Sequence, residues 1–212
     1  MRLGAESHIP AKIKLEYALQ RYEDHIRSAG DNPTTEQTRH LERERMHVEA
    51  FADLTHKLEE YYGIVDSPQY DIYQDEHQSQ RLGENMRAVG RPKPTERYDA
   101  HAIVSGSHDR AALSRVKMAR LRVGLDDPDN GAWLPRRGHD AKGSRCWATP
   151  GAIPHSRIHR KSYYNWITRQ VSPVTNRDVL KQRLRTTGAR LESGDIPANI
   201  KEELRYDDLQ SS

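Results

Sequence analysis

Cysteine is nearly missing from this 212-residue chain: Cys146 stands alone, which excludes an intrachain disulfide and any metal site built on several thiolates. Long apolar runs are missing too. None approaches the roughly 18 residues that a membrane-spanning helix requires, so no membrane partner is expected. The opening stretch, Met1 to His8, lacks the apolar segment of a secretory signal peptide. The expectation is a soluble protein that leaves its cell, if it does, by another route. Apolar residues make up 34% and charged ones 31%, with a mean hydropathy of −0.98. A core built from so little is modest, or divided between small units.

The net charge of +3 hides a division. Residues 1–90 carry 11 Lys and Arg against 17 Asp and Glu, a net of −6, while residues 91–212 carry 23 against 14, a net of +9. A basic half of this size is the footprint of a polyanion binder, although a solvated basic surface reads the same way.

The acidic half reads as helical. Ile9, Ile13, Tyr17, Tyr22 and Ile26 recur near helical spacing, and Ser28 to Pro33 make a stop and a turn. From about Thr35, Leu41, Val48, Phe51, Thr55, Leu58 and Tyr62 form a narrow seam like that of a coiled coil, closed by Gly63. Two helices joined this way make an antiparallel hairpin, most simply a packing or spacer module. His40 and His47 read as exposed residues of its polar face. Periodicity fades over 63–97, and Gly90-Arg-Pro-Lys-Pro94 is linker chemistry. The expected division is therefore a helical region, 1–90, and a second domain, 91–212.

The second domain opens with a strand pattern over 97–104. A helix is expected at 108–123, with Ala112, Val116, Ala119 and Val123 on one face. Asp126-Asp-Pro-Asp-Asn-Gly131 is strong turn chemistry leading into a short second strand at Ala132-Trp-Leu134. Residues 136–153 read as a loop, 155–171 as a helix begun by Pro154, and Asn176 to Leu191 as another helix stopping at Gly194. The fold class is thus α+β, mostly helical, with a helical hairpin followed by a ββα unit. His155 and His159, four apart on the expected helix, project from one face and can share a metal. Such a pair is weak evidence alone. His101 at the end of a strand, and Asn130 opening the next, strengthen it.

The segments Ala100-His-Ala-Ile-Val104, Asp126 to Pro135 and His155-Ser-Arg-Ile-His159-Arg-Lys-Ser-Tyr163-Tyr164 together resemble the AHH family. That family belongs to the HNH/endonuclease VII (ββα-metal, His-Me finger) superfamily, and its members form C-terminal domains of bacterial polymorphic toxins. The resemblance spans about residues 97–171. It implies that His101, His155 and His159 hold one divalent ion (Mg, Mn, Zn or Ni) and that Asn130 braces the loop between the strands. It also implies a nuclease, DNA being favoured over RNA, acting as an antibacterial effector. A parent delivery protein upstream, a secretion system, action in the target-cell cytoplasm and an acidic immunity protein belong to the same picture.

One departure outweighs the matches. The family pattern reads Ala-His-His, its second His being the general base, whereas this chain has Ala102 there. A methyl group cannot take a proton from water. Either this member is naturally inactive, or the base was replaced to disarm a toxic nuclease; the second reading is preferred, since such enzymes are commonly disarmed at the base. In an intact site the base would activate water for metal-assisted phosphodiester hydrolysis. Arg110, Arg136, Arg137, Arg145, Arg157, Arg160 and Lys161 lie on neighbouring segments and are expected to meet backbone phosphates. His108 and His139 read as non-ligands, His108 being near enough in sequence to serve as a replacement base. The competing reading is a non-catalytic, metal-stabilised nucleic-acid-binding module. A structural zinc site is normally closed by four ligands, and three imidazoles favour an open, catalytic one.

Overall fold

A computed structural model describes residues 9–137 and 152–202. Helices α1 (Ile9–Ala29) and α2 (Thr35–Val65) form the antiparallel hairpin. Gly30, with φ +66°, turns the chain after α1. Thr34 then caps α2: its hydroxyl accepts from the Gln37 amide, and the Gln37 side chain accepts from the Thr34 amide. The α2 helix runs two residues past Gly63, because Val65 is fully buried against the rest of the protein.

The buried stripe of α1 is not the one its large apolar residues suggested. Ile13, Tyr17 and Ile26 are 58%, 73% and 45% exposed. The residues turned toward α2 are Ala11, Leu15, Ala18, Tyr22, His25 and Ala29, spaced by four and three in turn. Small side chains in that phase let two helices approach closely, so packing set the phase and bulk did not.

Helix α3 (Ser79–Ala88) occupies a stretch where little periodicity was visible. It has ten residues, and Leu82 and Met86 are its large buried apolar side chains. They cover a two-stranded antiparallel sheet, β1 (Tyr98–Ala102) and β2 (Gly131–Pro135), paired His101 to Ala132 and Ala102 to Gly131. The boundary expected near residue 90 falls just after this helix. Between the strands lie a 3-10 turn (Asp109–Ala111) and α4 (Ala112–Arg120). The buried line there is Ala111, Ser114 and Met118; Ala112 is exposed, and only Val123 of the expected face is fully buried. Then follow a 3-10 turn (His155–Arg157), α5 (Lys161–Val171) and α6 (Arg177–Ser193). Asn176 caps α6 through its side chain, and Gly194 ends it at φ +70°.

The main core gathers Ile103, Leu134, Ile158, Tyr163, Ile167, Leu180, Leu184 and their neighbours under β2. Gly131 is closely enclosed: a Cβ there would come within 2.5 Å of the Met86 sulfur, and one on Gly188 of α6 would come within 3.0 Å of the Gly131 carbonyl. Glycine after Asn130 therefore lets α3 and α6 clamp the start of β2. No described helix is long and apolar enough to cross a membrane.

Candidate metal centre

Three imidazoles, His101, His155 and His159, converge from separate segments. Their ring centroids stand 5.1, 5.3 and 5.8 Å apart, and one ring nitrogen of each lies within 4.8 Å of the others. His155 and His159 do not share a face of an α-helix, as their spacing suggested. Pro154 introduces a single 3-10 turn, and Arg160 is extended (φ −113°, ψ 162°), so α5 starts only at Lys161. Buried Ile153 and Ile158 anchor the turn in the core, and the Ser156 hydroxyl donates to the Arg136 carbonyl beyond β2. The two imidazoles meet because the chain is pinned on both sides of them.

Each imidazole is held by another side chain. The Tyr163 hydroxyl donates its one proton to the Ile103 carbonyl (2.7 Å), so at its 2.9 Å contact with His101 it accepts from Nε2–H. The assigned tautomer leaves the lone pair of His101 on Nδ1. Tyr164 Oη lies 2.8 Å from His159 Nδ1. Asp99, two residues before His101 and on the same face of β1, places Oδ2 3.5 Å from His155 Nδ1 and accepts from Arg136 Nε at 2.8 Å. None of these three orienting roles was read from the sequence. Asp99 stands two residues before His101, so the strand period was an available signal for it; Tyr163 lies 62 residues from the His101 that it orients, and no local spacing records that pairing.

Burial, reinforced by the positive charge that His155 and His159 can carry, holds His101 well below the ordinary imidazole range. His159 is lowered by burial and by His155 and His108. Burial raises the Tyr163 phenol well above its usual value, and that of Tyr164 as well. At neutral pH His101 and His159 are thus neutral, the form that ligates a metal.

Asn130 is fully buried. Its Oδ1 accepts from the Val104 amide (2.9 Å), and its Nδ2 donates to the carbonyls of Val104 (3.2 Å) and Leu125 (2.8 Å), tying the start of β2 to the end of β1. Ala102 faces the other way from His101. Its methyl is 5% exposed and packs with Leu82, Met86 and Trp133 beneath α3. His108 stacks on Tyr164 with centroids 4.3 Å apart, and its Nδ1 accepts from the Arg110 amide.

These strands and turns lie within a segment, residues 82–196, that matches the model of AHH, a nuclease family of the HNH/ENDO VII superfamily with conserved AHH. The chain belongs to the AHH nuclease family. No curated protein and no solved structure matches it. As an AHH nuclease it belongs to a superfamily that uses a divalent metal, and nucleic acid is its substrate class.

Of the basic residues expected near the site, Arg110, Arg136, Arg137 and Lys161 are exposed, and Arg157 and Arg160 half-buried. Arg136 is also engaged by Asp99. Arg145 and His139 lie outside the described residues.

Proposed function

We propose that the chain is a metal-dependent endonuclease domain of a bacterial toxin, DNA being its favoured target, in a form that lacks its general base. The convergence of three imidazoles within the family segment carries this reading. His101, His155 and His159 would hold the ion, and an all-imidazole set suits zinc or nickel better than magnesium or manganese. A divalent ion so held would supply positive charge for the phosphoryl oxygens and for the leaving 3′ oxygen. Tyr163, Tyr164 and Asp99 keep the three rings aimed while Asn130 holds the strand of His101 in register. Arg110, Arg137 and Lys161 provide exposed charge for backbone phosphates, giving salt-dependent binding with little sequence preference.

The surroundings of the imidazoles support the missing base. Among the described residues, Tyr163 and Tyr164 keep their protons, and Asp99 is occupied by Arg136. Neutral His108 spends its Nδ1 lone pair on the Arg110 amide, so its Nε2 carries the proton and is a donor. A histidine at 102 would have to displace Leu82 or Met86, or re-aim the end of β1, to reach the metal side.

A plasmid-nicking assay with added Mn²⁺, Ni²⁺ or Zn²⁺ tests the reading. The chain as it stands should bind DNA and cut it poorly, while Ala102→His should raise cleavage by about 10²–10⁴, the usual worth of a positioned base. Equal cleavage by both would assign the base to another residue. Bound metal with no cleavage by either would favour the non-catalytic binding module. His155→Ala with unchanged metal affinity would remove the site altogether. The toxin reading adds an acidic immunity protein suited to the +9 half; failure of the Ala102→His variant to poison cells that lack such a partner would count against it.

A further inference from the structure

The heptad seam of α2 runs through residues 41, 44, 48, 51, 55, 58 and 62, and one member is a carboxylate: Glu44. It is 8% exposed, buried where a coiled-coil seam wants leucine. The facing layer of α1 is polar as well, because His25 occupies a seam position in the 11-15-18-22-25-29 stripe. His25 Nδ1 lies 2.6 Å from Glu44 Oε2, and His40, one turn before Glu44 on α2, places Nε2 3.5 Å from the same oxygen. The two imidazole rings stand 5.3 Å apart. Arg21 approaches the other carboxylate oxygen, Oε1, at 3.4 Å, which leaves Oε2 to the imidazoles. The ligand atoms of all three residues lie within 4.8 Å of one another.

We propose that His25, His40 and Glu44 form a second divalent transition-metal site, which clasps the outer end of the hairpin. Two imidazoles and a carboxylate are a donor set for zinc or nickel. Bonds of about 2.0–2.1 Å in tetrahedral geometry set ligand atoms about 3.3 Å apart. The 3.5 Å pair already fits, and the 2.6 Å pair opens slightly when an ion replaces the proton shared by His25 and Glu44. His40 and Glu44 chelate from one helix face, and His25 supplies the cross-helix ligand. A fourth position is left to water, since His40 is exposed. The site has no residue in common with the imidazole cluster of the nuclease segment. A polar layer that weakens the seam of the free chain thereby becomes a clamp when metal is bound.

Calorimetric titration of the full chain with Zn²⁺, and with Co²⁺ followed by its visible absorption, tests this. The parent chain should take up two ions. His25→Gln with His40→Gln, which can still hydrogen-bond Glu44, should lose one of them with helical circular dichroism unchanged. His101→Ala with His155→Ala should lose the other, so each site succeeds or fails on its own. His47→Gln with His56→Gln, two histidines also on α2, should change nothing. Zinc should also slow hydrogen exchange of amides near residues 25 and 44 in the parent and not in the His25/His40 variant. A stoichiometry unaffected by the His25/His40 changes would overturn the proposal, as would loss of the second ion in the His47/His56 variant.

Discussion

At the outer end of the hairpin, Glu44 meets His25 and Arg21, whose side chains are 41% and 59% exposed. In the nuclease body, Asp126 and Asp127 are wholly buried and Asp129 nearly so, each with its own cation or imidazole. Asp126 accepts from Arg81 Nε and lies beside His77 Nδ1, both at 2.5 Å. Asp127 accepts from Lys181 Nζ at 3.0 Å, and Asp129 takes a two-pronged contact from Arg185 at 2.8 and 3.0 Å. Water can replace a partner lost from the hairpin cluster; around Asp127 it cannot. The same chemistry is therefore replaceable at one end of the molecule and structural at the other.

The sharpest way to test this contrast is Lys181→Ala. Burial pushes the Asp127 carboxyl up while Lys181 pulls it back, and Lys181 also donates to the Tyr62 hydroxyl, joining α6 to α2. Leaving a buried charge unpaired costs about 3–5 kcal/mol, so urea unfolding should show a loss of that size. A loss below about 1 kcal/mol would mean that the body tolerates an unpaired carboxylate as a surface does. Tyr163→Phe comes next. It removes the group that orients His101 without changing shape, and metal affinity measured by calorimetry should fall about 10–100-fold with circular dichroism preserved.

Changes in the hairpin should be milder. Thr34→Ala deletes the cap of α2 and should cost about 1 kcal/mol in thermal unfolding. A much larger cost would show that the hairpin and the body unfold as one unit. Smallest of all, Tyr17→Ala, on the open face of α1, should alter stability by no more than about 0.5 kcal/mol. A greater loss would reveal that this face is covered in solution, which dependence of the melting temperature on protein concentration would show.

Much of this was legible from sequence, though unevenly. The hairpin, the strand pair and the stop at Gly194 rest on signals complete within a few residues. The three histidines were singled out by spacing and by position at a strand end, and family resemblance gave them one shared ion. Helix α3 was hidden because its buried side rests on little more than Leu82 and Met86. The phase of α1 was misread because Ile13 and Tyr17 are larger than the Ala11 and Ala18 that actually pack. His155 and His159 were placed on an α-helix because their spacing allows one, while the extended Arg160 separates them from it.

The hairpin, the antiparallel strand pair and the helix stop at Gly194 were determined by the sequence alone, since each depends on short-range stereochemistry. Tertiary structure decided the partners. The run Asp126 to Asn130 reads locally as turn chemistry, yet its carboxylates reach 45 residues back to Arg81 and 54 and 56 residues forward to Lys181 and Arg185. The ring nitrogen that His101 leaves free is likewise set by Tyr163, 62 residues away. A buried polar group must find a partner wherever packing puts one, and no local pattern records which distant side chain that will be.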